Sequence, residues 1–406
     1  MFNRLINYSK NNSFFLFGPR GTGKSTFLKQ KLPESDYLWI NLLNSDLERR
    51  LSTKPELLKS IIKEYLTTQG QQKSNPSPPF IVIDEVQKVP ELLDVVHDCI
   101  ESEKWNFALT GSSARKLKKN GANLLAGRAF TYTAHPLTYS ELGPAFKIND
   151  ILKWGALPKI FSLSEDDKKD FLLSYVETYF REEIVSEQII RNVKPFRYFL
   201  EVASQSNAKI INNSKIARDI GVETSTVQNY FEILEDTLIG FLLPPYHNSI
   251  RRRQRQNSKF YYFDTGVQRT LRRTLDLPLQ AQSFEYGDLF EQFFINEVRR
   301  LITYQKLQWN ISYLRTQDGV EIDLIIERPG LPTALIEIKS AQEIHPQNLE
   351  GHTGFLKLVR DFPNAEAFVL SQDPIARIEN NIRYLPWEQG LQAIGLMDVK
   401  ITPGRI

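Results

Sequence analysis

The sequence predicts an α/β protein: a three-layer sandwich on a parallel sheet, then a helical connector, a small helix-and-strand unit and a second, smaller α/β unit. Three observations carry that expectation. Strands alternate with helices over roughly the first 110 residues. Apolar residues then recur at three- and four-residue spacing between about residues 148 and 190. Beyond residue 280 the order changes to one long helix followed by a meander of strands.

Taken in order, Ser13 to Phe17 reads as a short buried strand, Lys24 to Lys31 as a helix, Tyr37 to Leu42 as a second strand and Pro55 to Gln69 as an amphipathic helix. The polar, proline-rich stretch 69–79 reads as a surface loop. Phe80 to Asp84 is wholly apolar until its acidic end, as a strand covered on both faces should be, and a helix near Leu92 to Ser102 leads to a strand at Phe107 to Thr110. Phe171, Leu172, Tyr175, Val176, Tyr179 and Phe180 give the connector its apolar stripe. Phe284 to Tyr304 is the long helix, and the strands Ile311 to Arg315, Val320 to Ile326 and Thr333 to Ile338 follow it. Asp318-Gly319 and Pro329-Gly330 punctuate the hairpins between them.

Composition narrows the function classes. With 406 residues, 41% of them apolar and 24% charged, the chain is long enough for several domains and is neither disordered nor fibrous. A net charge of +3 is too small to imply a polyanionic partner, so any contact with nucleic acid must rest on local clusters. The one cysteine, Cys99, excludes an internal disulfide scaffold, and no stretch nears the ~18 apolar residues of a spanning helix, so a cytoplasmic chain without a membrane role is expected. Five scattered histidines form no zinc pattern; His135 reads as a packing junction.

Gly18-Pro19-Arg20-Gly21-Thr22-Gly23-Lys24-Ser25, with Thr26 after it, has the G-x-x-x-x-G-K-[ST] spacing between an apolar strand and a helix. Glycines there let backbone N–H groups curl around phosphate oxygens, Lys24 reaches the β and γ phosphates of ATP, and the Ser25 hydroxyl suits Mg²⁺. Asp84 at the end of the next apolar strand would hold the Mg²⁺, and Glu85 would orient or deprotonate the attacking water. Thr110 and Ser112, at a third strand end, either sense the γ-phosphate or close a simple turn. Arg128 is a candidate arginine finger, within the chain or across a homo-oligomer interface.

In this order GPRGTGKST (18–26), FIVIDEVQKVP (80–90), ALTGSSARKL (108–117), LLAGRAF (124–130) and HPLTYSEL (135–142) resemble the AAA-type ATPases of bacteria and archaea that carry a C-terminal domain of restriction-endonuclease type. The resemblance runs over nearly the whole chain and implies an ATPase core. It suggests a P-loop sandwich at 1–147, a helical lid at 148–194, a winged-helix unit at 195–262 and a nuclease-like domain at 263–406.

The segment 214–234 has helix-turn-helix spacing, with small Ala217 at the crossing, Gly221 in the turn and Val227 packing back. Thr224, Ser225, Thr226, Gln228 and Asn229 would then face DNA, and Arg251, Arg252, Arg253, Arg255 and Lys259 would form a basic wing that meets phosphates. A winged helix serving as a protein-interaction module is the alternative.

Period-two geometry puts Glu337 and Lys339 on one face of their strand, where a hairpin can bring Asp323 beside them. The two carboxylates suit Mg²⁺ and Lys339 suits activation of water. With Glu291 on the preceding helix, the set resembles the PD-(D/E)xK nuclease fold. Glu321, on the face of Asp323, either joins the metal or neutralises a nearby cation. The sequence therefore predicts an ATP- and Mg²⁺-dependent ATPase that contacts DNA and has an ATP-controlled nuclease; the alternative is a nucleotide-controlled binding switch that cuts nothing.

Overall fold

The computed structural model describes residues 2–32, 37–70, 80–112, 125–181, 193–247, 257–345 and 352–398. The first unit alternates β1 (Ser13–Phe17), α1 (Lys24–Lys31), β2 (Tyr37–Asn41), α2 (Ser45–Thr53), α3 (Leu57–Gly70), β3 (Phe80–Asp84), α4 (Leu92–Ser102), β4 (Phe107–Gly111) and β5 (Ala129–Thr133). The five strands form one parallel sheet in the order β2-β3-β4-β1-β5, so β1 lies between β4 and β5, with its C-terminal end at the edge where ligands of open α/β sheets bind. Phe14, Phe15 and Leu16 are fully buried, a burial that contributes roughly 1.5–3 kcal/mol per side chain.

A helical region follows: α5 (Tyr139–Leu142), α6 (Ile148–Trp154), α7 (Glu165–Tyr179) and α8 (Val193–Gln205). Then β6 (Lys209–Ile210), α9 (Asn213–Ile220), α10 (Thr224–Asp236), β7 (Gly240–Leu243) and β8 (Lys259–Tyr262) make a small unit whose antiparallel sheet has β8 in the middle. Gly221, at φ 72°, ends α9 in the left-handed region and lets the chain turn into α10.

Helix α11 (Thr265–Arg272) leads to α12 (Phe284–Tyr304), whose buried Phe290, Phe293, Phe294, Ile295 and Val298 pack under the last sheet. That mixed sheet runs β13-β14-β12-β11-β10-β9, from β9 (Asn310–Arg315), β10 (Glu321–Glu327), β11 (Thr333–Ile338), β12 (Ala365–Ser371), β13 (Arg377–Glu379) and β14 (Ile382–Pro386). Helices α13 (His352–Arg360) and α14 (Trp387–Ala393) flank it. Among the described residues no helix is long and apolar enough to cross a membrane.

Candidate functional site

The loop between β1 and α1 is shaped by its glycines. Gly21 and Gly23 have φ of 77° and 86°, which side-chain-bearing residues rarely adopt, and a Cβ on Gly18 would lie 2.2 Å from the Ala134 carbonyl oxygen. Lys24 is buried and folds back across its own loop, its Nζ donating to the carbonyls of Gly18 (2.7 Å) and Pro19 (3.3 Å). The Thr22 hydroxyl donates to the Pro19 carbonyl at 2.8 Å, while Arg20 and Thr26 are exposed.

Opposite stands Asp84, at the end of β3 and 6% exposed. The Ser25 Oγ lies 3.1 and 3.0 Å from its two oxygens, and the Thr110 hydroxyl also donates to it. Among the described residues no cation pairs with Asp84. Glu85 has φ 62°, a strained conformation for a residue with a side chain, costing on the order of 1–3 kcal/mol. Its N–H donates to Thr110 Oγ1 at 3.2 Å, and Gln87 Nε2 donates to its carboxylate and reaches Ser112 Oγ at 3.4 Å. The structure thus brings Lys24, Ser25, Asp84, Glu85, Thr110 and Ser112 to one sheet edge. Beside α1 a cavity of about 560 Å³ is lined by Phe2, Gly21, Thr26, Gln30, Pro158 and Phe161.

Arg128 lies apart from these residues. It precedes β5, which runs parallel to β1, so it sits at the opposite edge of the sheet, ~20 Å of strand from Gly18. There its Nε pairs with Glu101.

A second cluster forms on the last sheet. Leu324 pairs with Ile336 in the antiparallel β10–β11 ladder, which puts Asp323 beside Glu337. Asp323 Oδ2 accepts from the Ile338 N–H at 2.8 Å, and Lys339 Nζ lies 2.7 Å from Glu337 Oε1. Burial, then Glu337 and Glu291, pushes the Asp323 carboxyl well above its usual range. Burial raises Glu337 as well, and its Oε2 is buried without a hydrogen-bond partner among the described residues.

Lys259 overturns its expected place in a basic wing. It is 3% exposed, with its Nζ 3.0 Å from Glu291 Oε1 and in direct contact with Glu321. The neighbouring Tyr261 is buried too, and its hydroxyl donates to Glu291 Oε1 at 2.5 Å. Burial alone would drain charge from Lys259, but Glu291, Tyr261, Asp323 and Glu321 hold its pKa well above the ordinary value. Glu321 thus neutralises a cation. Among the described residues no three or more His, Cys, Asp or Glu side chains are grouped so as to hold a metal ion.

On α10, Ser225, Gln228 and Asn229 are exposed, Thr224 and Thr226 half-buried, and Val227 fully buried. Arg251, Arg252, Arg253 and Arg255 lie outside the described residues.

Sequence reasoning missed Arg4. Its guanidinium donates to the Thr22 carbonyl inside the phosphate loop (2.8 Å), the His135 carbonyl (2.6 Å), Tyr304 at the end of α12 (2.8 Å) and Glu141 (3.0 Å). The only local signal was Thr138-x-x-Glu141, which forms a capping box on α5. His135 is buried in this network, and burial with the nearby Arg299, Arg300 and Arg4 pushes its pKa well below the ordinary value.

Comparison with known proteins divides the chain into three matched segments. Residues 10–143 match an AAA domain, residues 145–280 the domain of unknown function DUF8612 and residues 286–389 the domain of unknown function DUF4143. An uncharacterised protein of Mycobacterium tuberculosis is 24% identical over 302 residues, 73% of this chain and 68% of that one. Another, of Methanocaldococcus jannaschii, is 25% identical over 277 residues, 61% and 60% of the two chains. Among solved structures, the Aeropyrum pernix ORC2 protein in its ADP form aligns at 11% identity and a TM-score of 0.31, covering 66% of this chain and 87% of that one, a likeness too loose to bear on function. The chain carries an AAA domain, a nucleotide-binding P-loop module, followed by two domains of unknown function.

Proposed function

We propose that the protein is an ATP-hydrolysing, Mg²⁺-dependent switch whose nucleotide site lies between the 18–25 loop and the end of β3. The observation that carries this reading is the Ser25–Asp84 pair: a hydroxyl and a carboxylate 3.0 Å apart, beside a glycine-rich helix N-terminus. That donor set fits Mg²⁺, a hard cation that takes oxygen ligands through one or two carboxylates and phosphates. When bound, Mg²⁺ supplies charge neutralisation on the β and γ phosphates. In this reading the loop N–H groups and Lys24 hold the triphosphate, Thr110 and Ser112 sit where they sense its end, and Glu85 takes the proton of the attacking water. The cavity beside Thr26 and Gln30 is sized for the nucleoside. Lys24→Ala should abolish nucleotide uptake measured by titration calorimetry together with phosphate release; unchanged uptake would refute the assignment.

The winged-helix reading of 195–262 is supported by the order of its helices and strands, with Ser225 and Gln228 exposed on α10, the helix after the Gly221 turn. DNA contact through that face and through Arg251, Arg252, Arg253 and Arg255 belongs to the proposal, as does a homo-oligomer in which Arg128 meets a neighbouring chain's site. A gel shift at low salt that is indifferent to charge removal at 251–253 would count against the DNA contact. For the C-terminal domain, Lys259 among the carboxylates favours partner binding over the metal-dependent cleavage that Glu291, Asp323, Glu337 and Lys339 would otherwise suggest.

A further inference from the structure

Mg²⁺ demands near-octahedral oxygen coordination at about 2.0–2.1 Å. The acidic cluster of the last sheet does not offer it. The Lys259 ammonium bridges Glu291 and Glu321, and Lys339 takes one oxygen of Glu337. One oxygen of Asp323 is engaged by a backbone N–H, and Arg315 Nη1 stands 3.6 Å from the second oxygen of Glu321. Lys259 is also fixed at its backbone: it is in the central strand of its sheet, opposite Ile210 of β6 and Leu243 of β7. That sheet is joined to the cluster's own. Tyr313 N–H on β9 donates to the Pro244 carbonyl at 3.0 Å, and the Tyr313 hydroxyl donates to the Asn257 carbonyl at 2.6 Å. The Lys259 ammonium is 5.5 Å from the centre of the Tyr313 ring, a cation–π contact from a third side. Among the described residues, Glu337 Oε2 is the one carboxylate oxygen of the cluster that is buried and unpartnered.

We propose that Lys259 is the resident cation of this cluster, a tethered ammonium held between the carboxylates in place of a divalent ion, so that the domain takes up no metal while β8 stays docked. The proposal stands whether or not the phosphate loop hydrolyses ATP, because it concerns different residues and is tested without nucleotide.

The test is Mn²⁺ binding to the full chain, followed by electron paramagnetic resonance of the free ion and by thermal melting. The parent and the Asp323→Asn/Glu337→Gln variant should bind Mn²⁺ equally. Lys259→Met should bind Mn²⁺ at least about tenfold more tightly than the parent, a gain that adding Glu337→Gln removes, and Mn²⁺ should raise its melting temperature. Lys259→Arg should behave as the parent. The proposal is overturned if the double carboxamide variant loses an ion that the parent binds, or if folded Lys259→Met takes up no more Mn²⁺ than the parent. Should Lys259→Met fail to fold with or without Mn²⁺, Lys259→Met/Glu321→Gln removes one charge of each sign and is judged by the same two outcomes.

Discussion

The two acidic sites of this chain are built alike and finished differently. Each has carboxylates at or beside a strand and a lysine within reach, yet Asp84 is met by the hydroxyls of Ser25 and Thr110, whereas Glu291 and Glu321 are met by the ammonium of Lys259. Hydroxyls satisfy lone pairs without cancelling charge, so the N-terminal site still attracts a cation. An ammonium cancels charge, so the C-terminal site does not. A third buried acid, Glu297 on α12, has neither: its Oε1 accepts from the Tyr139 N–H at 2.8 Å, and the nearest cation, Arg300, stands 3.9 Å from Oε2. The partner, rather than the carboxylate, decides what each site can do.

The sharpest way to break this contrast is Glu85→Gln, which should lower ATP turnover by two to four orders of magnitude with ATP affinity retained, read from kcat and titration calorimetry. Turnover at the parent rate would remove Glu85 from catalysis. Next is Lys259→Met in metal-free buffer, which takes the ammonium away from the half-buried Glu291 and Glu321 and should cost about 1–3 kcal/mol in denaturant unfolding. Asp323→Asn, which replaces a carboxyl already inclined to keep its proton, should change stability by less than about 1 kcal/mol.

Glu297 gives the pH arm. Burial raises its pKa from 4.5 to about 7, so across that interval the folded chain keeps a proton that the unfolded chain has released. Its stabilising contribution is therefore full below about pH 4.5 and is lost as pH rises to about 7, by roughly 3 kcal/mol. Glu297→Gln should flatten that decline in urea unfolding measured at pH 5 and pH 8. The smallest effect expected is from Arg128→Ala, which should leave the turnover of dilute, monomeric protein within about twofold; a larger loss there would show that the residue acts within its own chain.

What could be read from the sequence was whatever the chain writes locally. Residues 18–25 lie in one stretch between a strand and a helix, so the phosphate loop and its lysine were legible, as was Asp84 at the end of an apolar run. Asp323, Glu337 and Lys339 could be brought together by period-two geometry and a hairpin. Lys259 could not be placed, because its partners are 32 and 62 positions away and a lysine beside tyrosines reads as surface charge. Arg4 reaches 131 to 137 positions to His135 and Glu141, and 300 to Tyr304. Strand β5 escaped because it is a half-exposed edge without a continuous apolar run, and the left-handed backbone of Glu85 leaves no mark in residue type. The strands after Ile338 belong to a sheet completed by parallel crossovers, which no turn signal announces.

Helix α12 bears on how the protein should be cut for study. About 20 Å of helix separates Glu291, which grips Lys259, from Tyr304, whose hydroxyl accepts from both Arg4 and the His135 N–H. Severing the polypeptide near residue 144 or 282 would take the Tyr304 hydroxyl away from the Arg4 guanidinium behind the phosphate loop, leaving it Thr22, His135 and Glu141. Poor expression or weak nucleotide uptake by such a fragment would report that amputation, and only the undivided polypeptide is a fair specimen for enzymology.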